Sequence, residues 1–276
     1  MTKLHGLVLL AVLVLTIPAT AGGKASVRTI TDIPYNEAKD AHKNHKLNLY
    51  LPKGKKKAPV IFFVHGGGWR KGDRSNLARV GKVFAANGIA FVSTGYRLTP
   101  QVKHPEHIKD VAMAFAWTKN NIAKYGGDPN NIFVSGHSAG GHLCALLATN
   151  GQYLKRHGVE LSAIRGAMPI SGVYFIGPSK GFTPVFGNDA EGLKSASPIS
   201  HVSKDNPPFL ILYAEKDIKG FDKLADRFGA SLKKAGVEAS VHELTDRNHG
   251  SIVFAISGAD DPTAELILNF VKKHTK

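Results

Sequence analysis

Apolar and polar residues change rhythm repeatedly along this chain. Lys46–Leu51 (KLNLYL) alternates with period two and stops at Pro52, the pattern of a half-buried strand. Pro59–His65 (PVIFFVH), Ile89–Thr94 (IAFVST) and Asn131–Ser135 (NIFVS) are short, unbroken apolar runs, as expected of strands covered on both faces. Gly166–Ile170, Pro208–Ala214 (PFLILYA) and Ala239–Leu244 add three more strands. Between them the period becomes helical. Leu77–Asn87 ends at Gly88; Pro105–Lys124 carries Ile108, Val111, Ala112, Phe115, Ala116 and Ile122 on one stripe. Further helices are expected after Ser138, over Phe221–Ala235 and over Pro262–Lys273. Strand and helix in turn predict an α/β fold, a mostly parallel sheet with helices on both faces. Val173–Asp205 lacks either rhythm and is rich in Gly and Pro, so it is expected to be a lid-like insertion over a site.

The start of the chain follows a different logic. A basic Met1–Lys3, an apolar run from Leu7 to Ile17 and a small-x-small Ala19-Thr20-Ala21 read as an export leader over residues 1–21. That run is too short to span a bilayer. The remainder, 22–276, is expected to be one domain without a transmembrane segment, secreted or periplasmic. Its core is adequate, with 43% hydrophobic residues. Cys144 is the only cysteine, which excludes an internal disulfide and fits a small buried hydrophobe. The formal charge of +15 favours anionic surroundings. No recognised nucleic-acid-binding motif accompanies it, and Lys53–Lys57 reads as a solvated turn, so no specific nucleic-acid partner is expected.

Candidate chemistry sits where strands end. Gly136-His137-Ser138-Ala139-Gly140 follows a buried strand and opens a helix, the setting of a nucleophile elbow. The sharp turn needs small residues two positions either side of Ser138, and it exposes the hydroxyl beside a helix N-terminus. His65-Gly66-Gly67-Gly68-Trp69 follows another buried strand; the N–H groups of Gly67 and Gly68, with that of Ala139, are candidate oxyanion donors. A serine needs a base and a carboxylate to orient it, and in this architecture they follow in the order acid, then histidine. Asp217, after PFLILYA, is the favoured acid, with Glu215 as its rival. Of the 13 histidines, His242 and His249 lie beyond Asp217 and before the closing helix; His242 is mid-strand, so the loop residue His249 is the expected base.

At these residues the sequence resembles the α/β-hydrolases, in the branch of BD-FAE-type carboxylesterases, close to hormone-sensitive-lipase and kynurenine-formamidase relatives. The likeness runs through HGGGW (65–69), GYRLTP (95–100), YGGDPNNIFVSGHSAGGHLCALLA (125–148), PPFLILYAEKD (207–217) and NHG (248–250). It implies an eight-stranded sheet and serine hydrolysis of carboxylic esters without metal or cofactor. The expected substrate is a small-molecule or polysaccharide-linked ester. An arylformamidase with the same triad, or a non-catalytic binding protein on this scaffold, are the competing readings. Hormone-sensitive-lipase relatives have an N-terminal cap for which this chain has little room, so 173–205 is expected to cover the site alone. Trp69, Tyr174, Phe175 and Phe186 fit a substrate pocket and ordinary packing equally.

Overall fold

The computed structural model describes residues 26–276; the expected leader lies outside them. One eight-stranded sheet has the spatial order β1-β2-β4-β3-β5-β6-β7-β8. Its strands are β1 (Val27–Pro34), β2 (Lys46–Pro52), β3 (Ala58–Val64), β4 (Ala90–Thr94), β5 (Gly127–His137), β6 (Ile164–Ile170), β7 (Phe209–Lys216) and β8 (Ala239–Asn248). Only the β1–β2 and β2–β4 pairings are antiparallel. The other pairings are parallel. Seven of these strands carry the apolar runs read from the sequence. β1, VRTITDIP, does not: it is an edge strand whose positions are all half-exposed or exposed, so burial leaves little trace in its composition.

Helices connect the strands: α1 (Ala78–Ala86), α2 (Glu106–Asn121), α3 (Ala139–Thr149), α4 (Gln152–Lys155), α5 (Thr183–Phe186), α6 (Ala190–Ala196), α7 (Phe221–Lys234), α8 (Ser251–Phe254) and α9 (Pro262–His274). Parallel pairing forces each connection across a face of the sheet, and two cores result. One packs α2, α3 and α7 on residues such as Val60, Phe62, Val134 and Ile211. The other packs α1 and α9 on Ile61, Phe63, Phe133 and Leu210. Helix α3 is buried along its whole length, Cys144 included. Among the described residues no helix is long and apolar enough to cross a membrane.

The segment 173–205 departs from expectation. It is not a free flap, and none of its residues lines the cavity at Ser138. Tyr174 stacks on Phe228 at 4.4 Å between ring centroids. Phe186 packs edge-on against Trp69 and His142, and the Ala196 carbonyl accepts from His142 Nε2–H at 2.7 Å. Buried side chains spaced through it, Val185, Phe186, Leu193 and Ala196, fix it on the α2/α3 side. Gly and Pro break its periodicity without setting it free.

Candidate active site

Because β3, β5, β6, β7 and β8 all run in one direction, the residues after them emerge along one edge of the sheet. Ser138 follows β5 with φ 57° and ψ −119°, a backbone conformation that costs an L-residue about 1–3 kcal/mol and persists only under tight constraint. The constraint is visible. The Ser138 N–H donates to the Ile170 carbonyl at 2.9 Å. A Cβ on Gly140 would stand 2.0 Å from the Val64 oxygen, and one on Gly136 would stand 2.3 Å from the Gly140 oxygen. The two glycines are therefore required by contact of α3 with the end of β3.

His249 follows β8 directly. Its Nε2 lies 3.0 Å from Ser138 Oγ, and its Nδ1 lies 2.6 Å from Asp217 Oδ1. These distances assign the tautomer: Nδ1–H donates to the carboxylate, leaving Nε2 to accept from the hydroxyl. Asp217 sits just past β7. Burial pulls its pKa upward, but hydrogen bonds from His249, Ser171 and the Ala214 and Ile218 N–H groups prevail and hold it at about 2. The rival carboxylate, Glu215, points elsewhere and accepts from the Asp246 N–H at 2.8 Å. His242 is within β8.

The glycine loop meets this line from the β3 side. A Cβ on Gly66 would lie 3.2 Å from Ser138 Cβ, so bare backbone passes directly against the elbow. Gly67 adopts φ 117°, and a Cβ there would strike the Lys71 oxygen at 2.0 Å. Among the described residues the N–H groups of Gly67 and Gly68 donate to no protein acceptor, and Ala139 opens α3. The GYRLTP segment braces this loop. Tyr96 stacks on His65 at 4.5 Å and donates its hydroxyl to the His65 carbonyl at 3.1 Å. The Thr99 N–H donates to the Trp69 carbonyl at 2.9 Å. Arg97 in turn is clamped by the fully buried carboxylate of Asp110, with Nη2 to Oδ1 at 2.7 Å.

Two polar residues that sequence reasoning missed support the line. Ser171, after β6 at φ 47°, donates its hydroxyl to Asp217 Oδ2 at 2.5 Å. Its only sequence signal is its position just past a buried strand, as for Ser138 and Asp217. His137, the variable residue of the elbow motif, donates Nε2–H to the backbone carbonyl of His249 at 2.6 Å, and its ring lies 4.7 Å from the His249 ring. Burial first, then the neighbouring His249, pushes its pKa down to about 4, so it is neutral at pH 7.

A cavity of about 720 Å³ opens at Ser138 and His249, within the range that holds a small-molecule ligand. Phe63, Leu77, Ile218 and Phe254 give it apolar walls. Of the aromatics considered from sequence, Trp69, Tyr174 and Phe186 are buried packing residues. Phe175 is exposed beneath Arg227. None of the four lines the cavity.

A mostly parallel eight-stranded sheet, with a strained serine after a central strand and a histidine and aspartate after later ones, is the arrangement of the α/β-hydrolase fold. The comparisons narrow that class. The BD-FAE family model matches residues 47–164. Esterase LipQ of Mycobacterium tuberculosis is 33% identical over 234 residues, covering 78% of this chain and 55% of its own length. Kynurenine formamidase of Danio rerio is 23% identical, covering 92% of this chain and 86% of its own. A truncated carbohydrate esterase from gut microbiota superposes with a TM-score of 0.78 at 23% identity, over 92% of this chain and 98% of that one. Esterase B from Lactobacillus rhamnosis gives 0.76 at 22%, over 90% and 85%; at such identities these two speak to fold alone. The chain spans about half the length of the mycobacterial relatives it matches, 55% of LipQ, 41% of LipM and 59% of LipC. The chain has the α/β-hydrolase fold, and over most of its length its sequence is similar to those of carboxylesterases.

Proposed function

We propose that this chain hydrolyses carboxylic esters through an acyl-enzyme, with Ser138 as nucleophile, His249 as general base and Asp217 as the orienting acid. The observation that carries this is the continuous line Ser138 Oγ, His249 Nε2, His249 Nδ1, Asp217 Oδ1, with separations of 3.0 and 2.6 Å. In the first half-reaction Oγ attacks the ester carbonyl carbon while its proton passes to His249 Nε2. The carbonyl π electrons move onto oxygen, and the Gly67, Gly68 and Ala139 N–H groups receive the oxyanion. Collapse expels the alcohol, which takes the proton from the imidazolium and leaves the acyl group on Ser138. Water then gives its proton to Nε2 and attacks the acyl carbon; collapse returns that proton to Ser138 and releases the acid. Asp217 stays ionised throughout, which its four donors favour.

The substrate under this reading is a small-molecule or polysaccharide-linked ester. The esterase names of several relatives support the reaction, and the leader-like residues 1–21 support export. A fluorophosphonate probe should label Ser138 stoichiometrically. Ser138→Ala should lower p-nitrophenyl acetate turnover by at least ~10³-fold. An unlabelled wild-type protein without turnover would favour a binding scaffold. The long match to a kynurenine formamidase supports a second reading, the same triad acting on an N-formyl amide. Faster cleavage of N-formylkynurenine than of any simple ester would decide for it.

A further inference from the structure

The walls of the cavity are chemically divided. Phe63, Leu77, Ile218 and Phe254 form its apolar side, while Arg70 and Lys71, just beyond the glycine loop, supply two cations. No aspartate or glutamate is among the lining residues. Neither cation forms an ion pair among the described residues: Arg70 donates one Nη2–H to the Gly181 carbonyl at 2.8 Å, and Lys71 has no side-chain hydrogen bond. The nearest acid in sequence, Asp73, is engaged with Ser75 and Arg74. Arg70 and Lys71 are exposed at the cavity rim, unlike the partly buried Arg97 and Arg247, which pair with Asp110 and Asp261. Two adjacent, uncompensated cations on the wall of the proposed substrate cavity are thus left for something that enters it.

We propose that the preferred ester carries a carboxylate close to the scissile bond, its apolar part lying on Phe63 and Phe254 and its anion on Arg70 and Lys71. The proposal rests on the ester-hydrolase reading of the same site and names its substrate class. Arg70 retains free guanidinium N–H groups able to take a carboxylate oxygen, and Lys71 adds a mobile point charge. The overall charge of +15 would draw such a substrate toward the protein before it docks.

The test uses two matched pairs of esters. In one, 4-acetoxybenzoate against 4-acetoxybenzamide, the anion is on the alcohol half; in the other, mono-4-nitrophenyl adipate against its methyl ester, it is on the acyl half. The readout is the ratio of kcat/KM, charged over neutral, within each pair. In at least one pair that ratio should fall about fivefold in Arg70→Gln and in Lys71→Gln, the size expected of one partly exposed ion pair. It should fall further in the double variant and in Lys71→Glu, and thermal melting reports whether each variant is folded. For the wild type alone, raising NaCl from 20 to 500 mM should lower the same ratio. Equal ratios in wild type and variants for both pairs, with no salt effect, would overturn the proposal while neutral-ester turnover left the hydrolase reading standing. No turnover of any of the four esters would overturn both.

Discussion

His137→Leu is expected to slow the reaction without weakening substrate binding. The substitution removes the Nε2–H donor that holds the His249 carbonyl at 2.6 Å and the ring lying 4.7 Å from the His249 imidazole. A backbone carbonyl left unpaired in a largely buried place costs about 1–3 kcal/mol. The loop can avoid that cost by turning the carbonyl away, and the imidazole then moves with it. If the whole cost appears as lost alignment, kcat falls by about 5-fold to 150-fold, since about 1.4 kcal/mol corresponds to a factor of ten. A purely structural role would instead lower folded protein and leave turnover per active site intact. The assay is therefore kcat and KM on p-nitrophenyl butyrate, normalised to fluorophosphonate-titrated sites. KM should move less than threefold, and His137→Gln, which keeps an N–H on a shorter arm, should recover part of kcat. A His137→Leu enzyme within twofold of wild-type kcat, or Gln and Leu variants equally impaired, would refute the positioning role.

Ser171→Ala removes one of four donors to Asp217; a hydrogen bond to a charged group is worth about 1.5–3 kcal/mol, so kcat/KM should fall about tenfold or more while Asp217 remains ionised at pH 7. Unchanged kcat/KM would show that the other three donors suffice. Gly140→Ala places a methyl 2.0 Å from the Val64 oxygen and forces α3 away from β3, a loss of about 3 kcal/mol or more by urea unfolding. A wild-type midpoint would contradict the clash. Acid should destabilise the fold through buried imidazoles. Burial, the largest cause in each case, depresses His104 and His107 to about 4 and His142 to about 3. The unfolded chain protonates these groups near 6.5, so between there and about pH 4 it binds more protons than the folded one, and stability falls as pH is lowered through that window. Thermal melts from pH 7.5 to 4.5 should show the midpoint dropping below about pH 6.5; a flat profile would mean that the imidazoles are not buried as described.

Much of the site is legible from local pattern because strand ends are. Ser138 and Asp217 each follow a run whose apolar character marks a strand, His249 lies a few residues past the segment Ala239–Leu244 read as the last strand, and the parallel order places these ends together. Seven strands are readable for the same reason. β1 is not, since none of its eight positions is buried and burial therefore leaves no mark on its composition. Ser171 also stands just past such a run, but serine after a strand is common, and only the folded chain brings its hydroxyl to Asp217, 46 residues away. The four aromatics near the motifs illustrate the converse. Their size suggests a pocket wall, but the cavity is walled by Phe63, Leu77, Ile218 and Phe254 instead.

By itself, then, the order of residues determined the layered α/β architecture and which side chains stand at strand ends, because burial on a sheet and the sterics of a tight turn are local demands that composition must meet. The sequence favoured Asp217 over Glu215, but only the tertiary structure shows Asp217 bonded to His249 and Glu215 turned to Asp246; it alone decided the support lent by Ser171 and His137 and the packing of 173–205 away from the cavity. Those outcomes depend on directions and distances between segments far apart in the chain, and no periodicity along it encodes them.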